Sequence, residues 1–549
     1  MAENSTAVTK NEWRWVGLVV LLVILITVLP YAYGWWQRPD NSVYTGRHNL
    51  APGDASHYYQ MIEQARQGNL LFRNPFTSEP HQAAFFNPYW LLVGQLGKVV
   101  NWSNAVIFHL ARLISIPILL FILYGFISWL VATTRKRKFI FVFVIFASGL
   151  GAWSMPLLSQ LLDINSSLYN YPMDLWVPEG VTFLTLYQTG HFIMSTALII
   201  AVLWLMYSAL EKPSWKYVIG AGALGLFLFF YHPFHLPTIF SVLGVYVIIR
   251  FVNSSKFLWS YVLKLVIFAL LTMPAWLYHL LLLAYNDLVS IRAEQNVNLT
   301  SPVWNALIMY GLLLPFAVAA IWWLLKNKVF NNKYIFLTTW LLVQALLIYS
   351  PFAWQRRMTQ GLQIPLVILA GLGMLIFYRW LISRYSKYFK IFSNYSLIGI
   401  IIVVAFVASN LYVVLIDIGH FSNERFKQPI YGYYYSRYFK ESTDWVKENV
   451  DNKEIILGHY TTGNLLVGDT ARTVYLGHSV ETIKAEQKIG WVDTFYDAQT
   501  SEAWRINFIN SNNIKYVIYG PLERYYNWYD PDFLTVAYSN EEVTIYHVE

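Results

Sequence analysis

Several groups of residues have the types and spacing to do chemistry. The first is Asp54, which opens the stretch APGDASHYYQMIEQARQG at residues 51–68, with His57 one turn further on. Pro52 and Gly53 break the chain, so Asp54 suits a helix N-cap. Tyr58, Met61, Ile62 and Ala65 then recur at helical spacing, and Gly68 stops the helix. A carboxylate so placed reads equally as a cap worth about 1 kcal/mol and as a proton acceptor. His57 reads equally as a ligand and as a water-facing ring. The second group is Arg356-Arg357 in PFAWQRRMTQGLQIPLVILAGLG, residues 351–373. Adjacent guanidiniums bind phosphate oxygens through paired parallel hydrogen bonds. The phosphate is either a phospholipid headgroup or part of a substrate. The third is NSSLYNYPMDLWVPEGVTFLTLYQTGHF, with Asp174, Glu179 and His191. With Asp54 and His57 these could complete a divalent metal site, but their spacing matches no defined ligand motif, and the stretch also reads as a polar lid. Arg112, in FHLARLIS with His109 one turn before it, either pairs with an acid, helps hold a carrier, or reaches to headgroups. His232 and His235 in YHPFHLP suit one face of a turn and local hydrogen bonds.

The elements that must position these residues are apolar. Of 549 residues, 56% are hydrophobic and 13% charged, with mean hydropathy +0.40. A soluble chain carries nearer a quarter charged residues. Blocks of roughly 20 apolar residues cross a bilayer. Eleven such spans are predicted near 14–36, 105–132, 139–160, 189–210, 216–231, 234–251, 258–285, 303–325, 334–350, 361–380 and 395–417. Tyr and Trp gather at block ends, where amphipathic rings favour the headgroup zone. MAENSTAVTKNEWRW leads into the first span without a small-residue cleavage site, so it reads as a retained helix.

The basic residues set an orientation. With the N-terminus in the cytoplasm, the inner segments hold eighteen Lys and Arg: Lys10 and Arg14, residues 135–138, Lys212 and Lys216, Arg250, Lys256 and Lys264, Lys326, Lys328 and Lys333, and Arg379, Arg384, Lys387 and Lys390. The outer loops after the first hold three, Arg292, Arg356 and Arg357. That asymmetry follows the positive-inside rule and accounts for the net charge of +8 without a nucleic-acid partner. Arg356 and Arg357 run against the rule, so their place at the outer end of a span asks for an anionic partner. The absence of cysteine excludes disulfides and thiolate metal ligands.

The expected architecture is an α-helical polytopic membrane domain over 1–420, with a first outer loop at 37–104, and a soluble extracytoplasmic α/β domain over 421–549. The tail reads as helix FKESTDWVKENV, strands EIILGHY and TVYLGH, helices ETIKAEQKIGWVDTFYD and SEAWRINFINSN, strand IKYVIYG, and a hairpin through TVAYSNEEVTIYHV. No Walker loop, dinucleotide fingerprint, HExxH or GxSxG motif is present.

A long first outer loop with interfacial helices, one acidic residue opening the first of them, then YYQMIEQARQGNLLFRNPF and an NPY turn, resembles the GT-C superfamily of membrane glycosyltransferases, among them the protein O-mannosyltransferases and the aminoarabinose transferase. The resemblance covers the overall layout, the first hundred residues and the tail. It implies transfer of a sugar from a polyprenyl-phosphate carrier to a glycan, lipid or protein acceptor at the outer face of the cell membrane. By the same resemblance Asp54 is the catalytic carboxylate, acting as general base with inversion at the anomeric carbon. Arg356 and Arg357 would bind the phosphate, with Arg112, His57 and Glu179 as further substrate contacts. Many members carry two acids side by side here, or Asp-x-Asp; this chain has Ala55-Ser56. No cofactor is required by the sequence, and a divalent metal would draw on Asp54, His57, Asp174, Glu179 and His191. The rival readings are a lipid-linked glycan flippase and a non-catalytic glycan-assembly subunit.

Overall fold

The computed structural model describes residues 7–163, 166–254, 258–385, 395–526 and 533–549. Lys256, Lys387 and Lys390 of the inner-loop count lie outside the described residues. Among those described, eight helices are long and apolar enough to cross a membrane, or nine if one bent pair is a single span. Two of the eleven expected spans, 216–231 and 334–350, fall on shorter helices. The helices Lys216–Tyr231 and Asn332–Leu347 have 16 residues each. At 1.5 Å per residue each is about 24 Å long, short of the roughly 30 Å hydrocarbon thickness. The expected span 303–325 is two helices, Val303–Tyr310 and Leu313–Lys326, bent by 77° at Gly311. The expected span 139–160 is interrupted between Phe146 and Gly151. Backbone groups freed by such a break must find partners inside the protein. Here the Ser148 N–H donates to Phe406 O (2.6 Å) and the Leu150 N–H to Ile308 O (2.9 Å).

Contacts divide the chain into two compact units. One comprises Met1–Thr27, Arg112–His279 and Val297–Leu415. One pair of opposite charges is buried there. Arg137 meets Glu12 at 2.7 Å, and the Tyr124 hydroxyl donates to the same carboxylate at 2.8 Å. Unpaired, either charge would be costly at that depth.

The other unit comprises Val28–Ala111, Leu280–Asn296 and Ile416–Glu549. Its main sheet has four strands in the order Ile455–Leu457, Ile514–Tyr519, Thr544–His547, Thr535–Ser539; the first pair is parallel and the others antiparallel. The helix Arg437–Asn449 buries Phe439, Ser442, Thr443 and Val446, a single stripe at helical spacing, and Ser436 caps it by accepting from the Phe439 N–H. A two-stranded ribbon pairs Ser42–Tyr44 with Tyr434–Ser436. Two tail elements differ from expectation. TVYLGH is not a strand: Val474 alone bridges to Ile456, and the chain then turns at Gly477-His478, whose N–H groups both donate to Thr482 Oγ1. Residues Tyr460–Thr470, without a sequence signal, form a buried helix.

Candidate functional site

Asp54 sits on a helix held on two sides. The helix runs Asp54–Arg66, with Gly53 at the N-cap position and no side-chain cap bond, so Asp54 is the first helical residue and not the cap. There its charge still meets the positive end of the helix dipole. The apolar stripe is buried: Met61, Ile62 and Ala65 are at most 2% exposed. Fully burying an Ile or Met side chain contributes about 1.5–3 kcal/mol. Two glycines let neighbouring helices approach. A Cβ on Gly94 of the helix Pro88–Val100 would strike Ala65, and one on Gly468 of the tail helix Tyr460–Thr470 would strike Ser56. Arg47 also donates to the Ser56 hydroxyl.

A tail residue meets Asp54. His478 Nε2 lies 3.3 Å from Asp54 Oδ1; the His478 side chain is 6% exposed and that of Asp54 46%. The other ring nitrogen of His478, Nδ1, accepts from the N–H groups of Val480 (3.1 Å) and Glu481 (3.3 Å). An imidazole nitrogen that accepts carries no proton, so the proton is on Nε2. His478 therefore meets the Asp54 carboxylate through its protonated nitrogen, a contact of 3.3 Å.

One turn along the helix, His57 faces Glu481. Its Nδ1 is 3.5 Å from Glu481 Oε1, and Arg292 Nε is 2.5 Å from Glu481 Oε2. Burial pushes His57 down to about 4, against the pull of the nearby Glu481 carboxylate. At neutral pH the His57–Glu481 contact is thus one of a neutral ring with an anion, and Arg292 is the cation of the trio. Burial raises Glu481, but Arg292, His57 and His478 outweigh it and hold the carboxyl below its ordinary value. Arg292 is placed by the helix Asp287–Gln295, capped by Asn286. That helix is tied to the tail turn by Gln295, which donates to Thr482 O and accepts from the Lys484 N–H. His57, Gln60, Arg73, Asn74, Arg292 and Glu481 line a small open cleft.

The arginine pair lies in the first unit, packed against the acidic aromatic stretch. Arg356 donates to Asn298 Oδ1 at 2.7 Å and stacks 4.7 Å from the Trp176 ring centre. Arg357 is 3.7 Å from Glu179 and 5.2 Å from the Phe234 ring. From Pro172 onward the stretch is largely buried, whereas Leu168 before it is exposed. Asn305 accepts from the Met173 N–H and donates to Tyr169 O and Tyr171 O, while Gln363 accepts from the Thr182 N–H. Asp174 accepts from the Gly151 N–H at the start of a helix (3.0 Å). Burial pushes it up to about 6, against hydrogen bonds from Ser409 and Gly151. His191 shares a 2.9 Å hydrogen bond with Thr189. His232 and His235 are 2.6 Å apart, and His235 reaches Gln360 at 2.9 Å, so these two bond locally as expected. Arg112 is 1% exposed and donates to the Leu186 and Thr27 carbonyls.

The structure thus brings Asp54 and His57 together with the tail, and Arg357 together with Glu179. Among the described residues no group of three or more His, Asp or Glu could hold a metal ion. The candidates Asp174, Glu179 and His191 are each engaged by separate partners. Sequence reasoning missed His478, Glu481 and Gln360, and took Arg292 only as an outer-loop charge. The one available signal was GHSVE, two chemistry-bearing side chains three apart after a glycine, running from the end of a stretch read as strand to the start of one read as helix.

No family model matches the chain, and no curated protein matches it in sequence. Solved structures do match. ArnT from Cupriavidus metallidurans in the apo state aligns over 98% of this chain and 98% of that one, with TM-score 0.53 at 10% identity. The same protein bound to undecaprenyl phosphate aligns over 97% of each chain, with TM-score 0.52 at 11% identity. The Archaeoglobus fulgidus oligosaccharyltransferase in the apo form aligns over 92% of this chain and 69% of that one, with TM-score 0.51 at 14% identity. At these identities the likeness is one of fold. The chain has the GT-C fold, that of a multi-pass membrane protein with a C-terminal α/β domain.

Proposed function

We propose that this protein is a glycosyltransferase that moves a sugar from a polyprenyl-phosphate carrier to an acceptor hydroxyl at the outer face of the cell membrane, with Asp54 as general base. The observation that carries the reading is the contrast among its carboxylates. A base must reach an incoming hydroxyl. The Asp54 side chain is 46% exposed. Asp174 is fully buried against a helix start, and the Glu179 side chain is 5% exposed beside Arg357. The GT-C fold supports the same assignment, and the Lys and Arg distribution supports a cytoplasmic N-terminus with the tail outside.

In the proposed reaction Asp54 accepts the acceptor's O–H proton. The freed oxygen forms a bond to the anomeric carbon, and the bond from that carbon to the phosphate oxygen breaks from the opposite side. The configuration inverts, and polyprenyl phosphate leaves with the electron pair. Arg356 and Arg357 stabilise the charge that grows on the phosphate. Both are partly preorganised, by the Trp176 and Phe234 rings that flank them. His57, one turn after Asp54, supplies a polar contact to the acceptor.

The test is transfer by full-length protein in membranes, with a panel of labelled undecaprenyl-phosphoryl sugars as donors and the membrane fraction as acceptor. Asp54→Asn should lose activity by roughly 10²–10⁴-fold while still binding undecaprenyl phosphate. Normal transfer by that variant removes Asp54 from the chemistry. Labelled lipid that crosses the bilayer without being joined to acceptor means a flippase, and neither result means an assembly subunit.

A further inference from the structure

We propose that His478 is a positioning residue for Asp54, so that the tail supplies part of the reactive centre. This inference rests on Asp54 being the base. The contact is built from three directions. The chain turns at Gly477-His478 because both N–H groups donate to Thr482 Oγ1 (3.2 and 3.1 Å), and that hydroxyl donates onward to Phe76 O at 2.7 Å. The ring of His478 lies 5.3 Å from the Phe76 ring and 6.3 Å from that of His57. Its Nδ1 is taken up by the Val480 and Glu481 N–H groups. Position, tilt and tautomer are each fixed by separate groups, and what is left is Nε2, 3.3 Å from Asp54 Oδ1.

That tautomer decides what His478 does. Nε2 already carries a proton, so it does not take one from Asp54, and Nδ1 is occupied by two backbone donors. His478 is therefore no proton relay, and the base is Asp54 alone. A fixed donor instead pins one carboxylate oxygen of a half-exposed side chain at the first position of a helix. With it gone the carboxylate is held less firmly, and fewer encounters with the acceptor hydroxyl are productive. The turn needs only the Nδ1 edge of the ring. The Nε2 edge serves Asp54, and this separation makes the proposal testable.

Two substitutions divide the edges. In His478→Asn the side-chain oxygen replaces Nδ1 and keeps the turn, but the contact from Nε2 is lost. In His478→Gln the side-chain nitrogen reaches as far as Nε2 and keeps the donor. Transfer is followed with the labelled undecaprenyl-phosphoryl sugar that the unmodified protein turns over best. His478→Asn is expected to lower kcat by about ten- to a hundredfold, the usual effect of losing one hydrogen bond to a charged group, with KM for the donor unchanged and thermal stability within a few degrees. His478→Gln is expected to stay within a few-fold of the unmodified protein. Unmodified kcat in a folded His478→Asn protein overturns the proposal. If His478→Asn does not fold, a folded His478→Gln protein with a hundredfold loss overturns it instead. Asp54→Asn keeps the two ideas apart: an active Asp54→Asn protein ends the base assignment, whereas an inactive one beside a normal His478→Asn protein ends only the role of His478.

Discussion

Acid should loosen the Asp54 helix through a single buried ring, His57. Burial lowers its pKa from 6.5 to about 4. The sign follows from linkage. A histidine whose folded pKa lies below its unfolded value binds fewer protons when folded. The stability it confers is fully present above about pH 6.5 and is lost as pH falls toward about 4. That interval is worth on the order of 3 kcal/mol, or about 300-fold in an opening equilibrium. The His57 side chain is 18% exposed, so little solvent screening reduces the figure. Glu481 stays ionised over most of the interval, since Arg292 foremost among its neighbours holds its carboxyl below the ordinary value despite burial.

The perturbation is His57→Phe, which keeps a ring against Tyr58 and Phe76 and removes the titration. Hydrogen exchange by mass spectrometry on peptides covering residues 54–66, converted to protection factors, reads the helix locally and avoids an irreversible global melt. Between pH 6.5 and 4 the unmodified protein should lose about 300-fold more protection than His57→Phe. Other groups near the helix titrate in both proteins and cancel in the comparison. Equal slopes in the two proteins would refute the argument that burial, and not the nearby carboxylate, decides the state of His57.

Three further outcomes are expected. Glu179→Gln removes the anion 3.7 Å from Arg357, so undecaprenyl phosphate should bind several-fold tighter in a thermophoresis titration; weaker binding would count against Arg357 as a phosphate ligand. Asp174→Asn should gain stability over the unmodified protein as pH rises from about 4 to 6, because burial raises that carboxyl to about 6 and the folded state then gives up its proton later than the unfolded one. The gain approaches about 3 kcal/mol in denaturation followed in detergent at several pH values, and a pH-independent difference would contradict it. Gly94→Val should push the helix Pro88–Val100 off Ala65 and Ile62, costing about 1–3 kcal/mol, seen as earlier proteolysis within residues 54–100; an unchanged digestion pattern would mean the helices can separate freely.

Long apolar blocks were legible because one physical demand, covering a bilayer, writes itself over twenty residues. The demand blurs where the block is shorter. Lys216–Tyr231 is as apolar as the longer helices but has only 16 residues, as has Asn332–Leu347, and Gly311 folds a continuous run back by 77°. Hydropathy counts residues and cannot see a bend. In the tail, the stripe of Arg437–Asn449 was plain from its spacing. The helix Tyr460–Thr470 was hidden, since Thr, Gly and Val are poor helix formers; nine of its eleven residues are buried, so packing overrides propensity there.

The site divides along the same line. Asp54 was findable because a proline, a glycine and a helical stripe mark its place within one residue. His478 and Glu481 were not, because nothing local distinguishes a histidine that completes a turn from one that faces a carboxylate at the opposite end of the chain. The difference lies in which ring nitrogen the backbone occupies. In His478 the backbone takes Nδ1 and thereby commits Nε2 to the partner. A histidine whose own turn consumes one edge is a donor of fixed direction, and the residue it points at is the one whose orientation the fold controls. By that argument the tail earns its place beside the Asp54 helix through chemistry as well as through packing, and a shortened protein lacking residues after 472 should be impaired even for acceptors that need no docking surface.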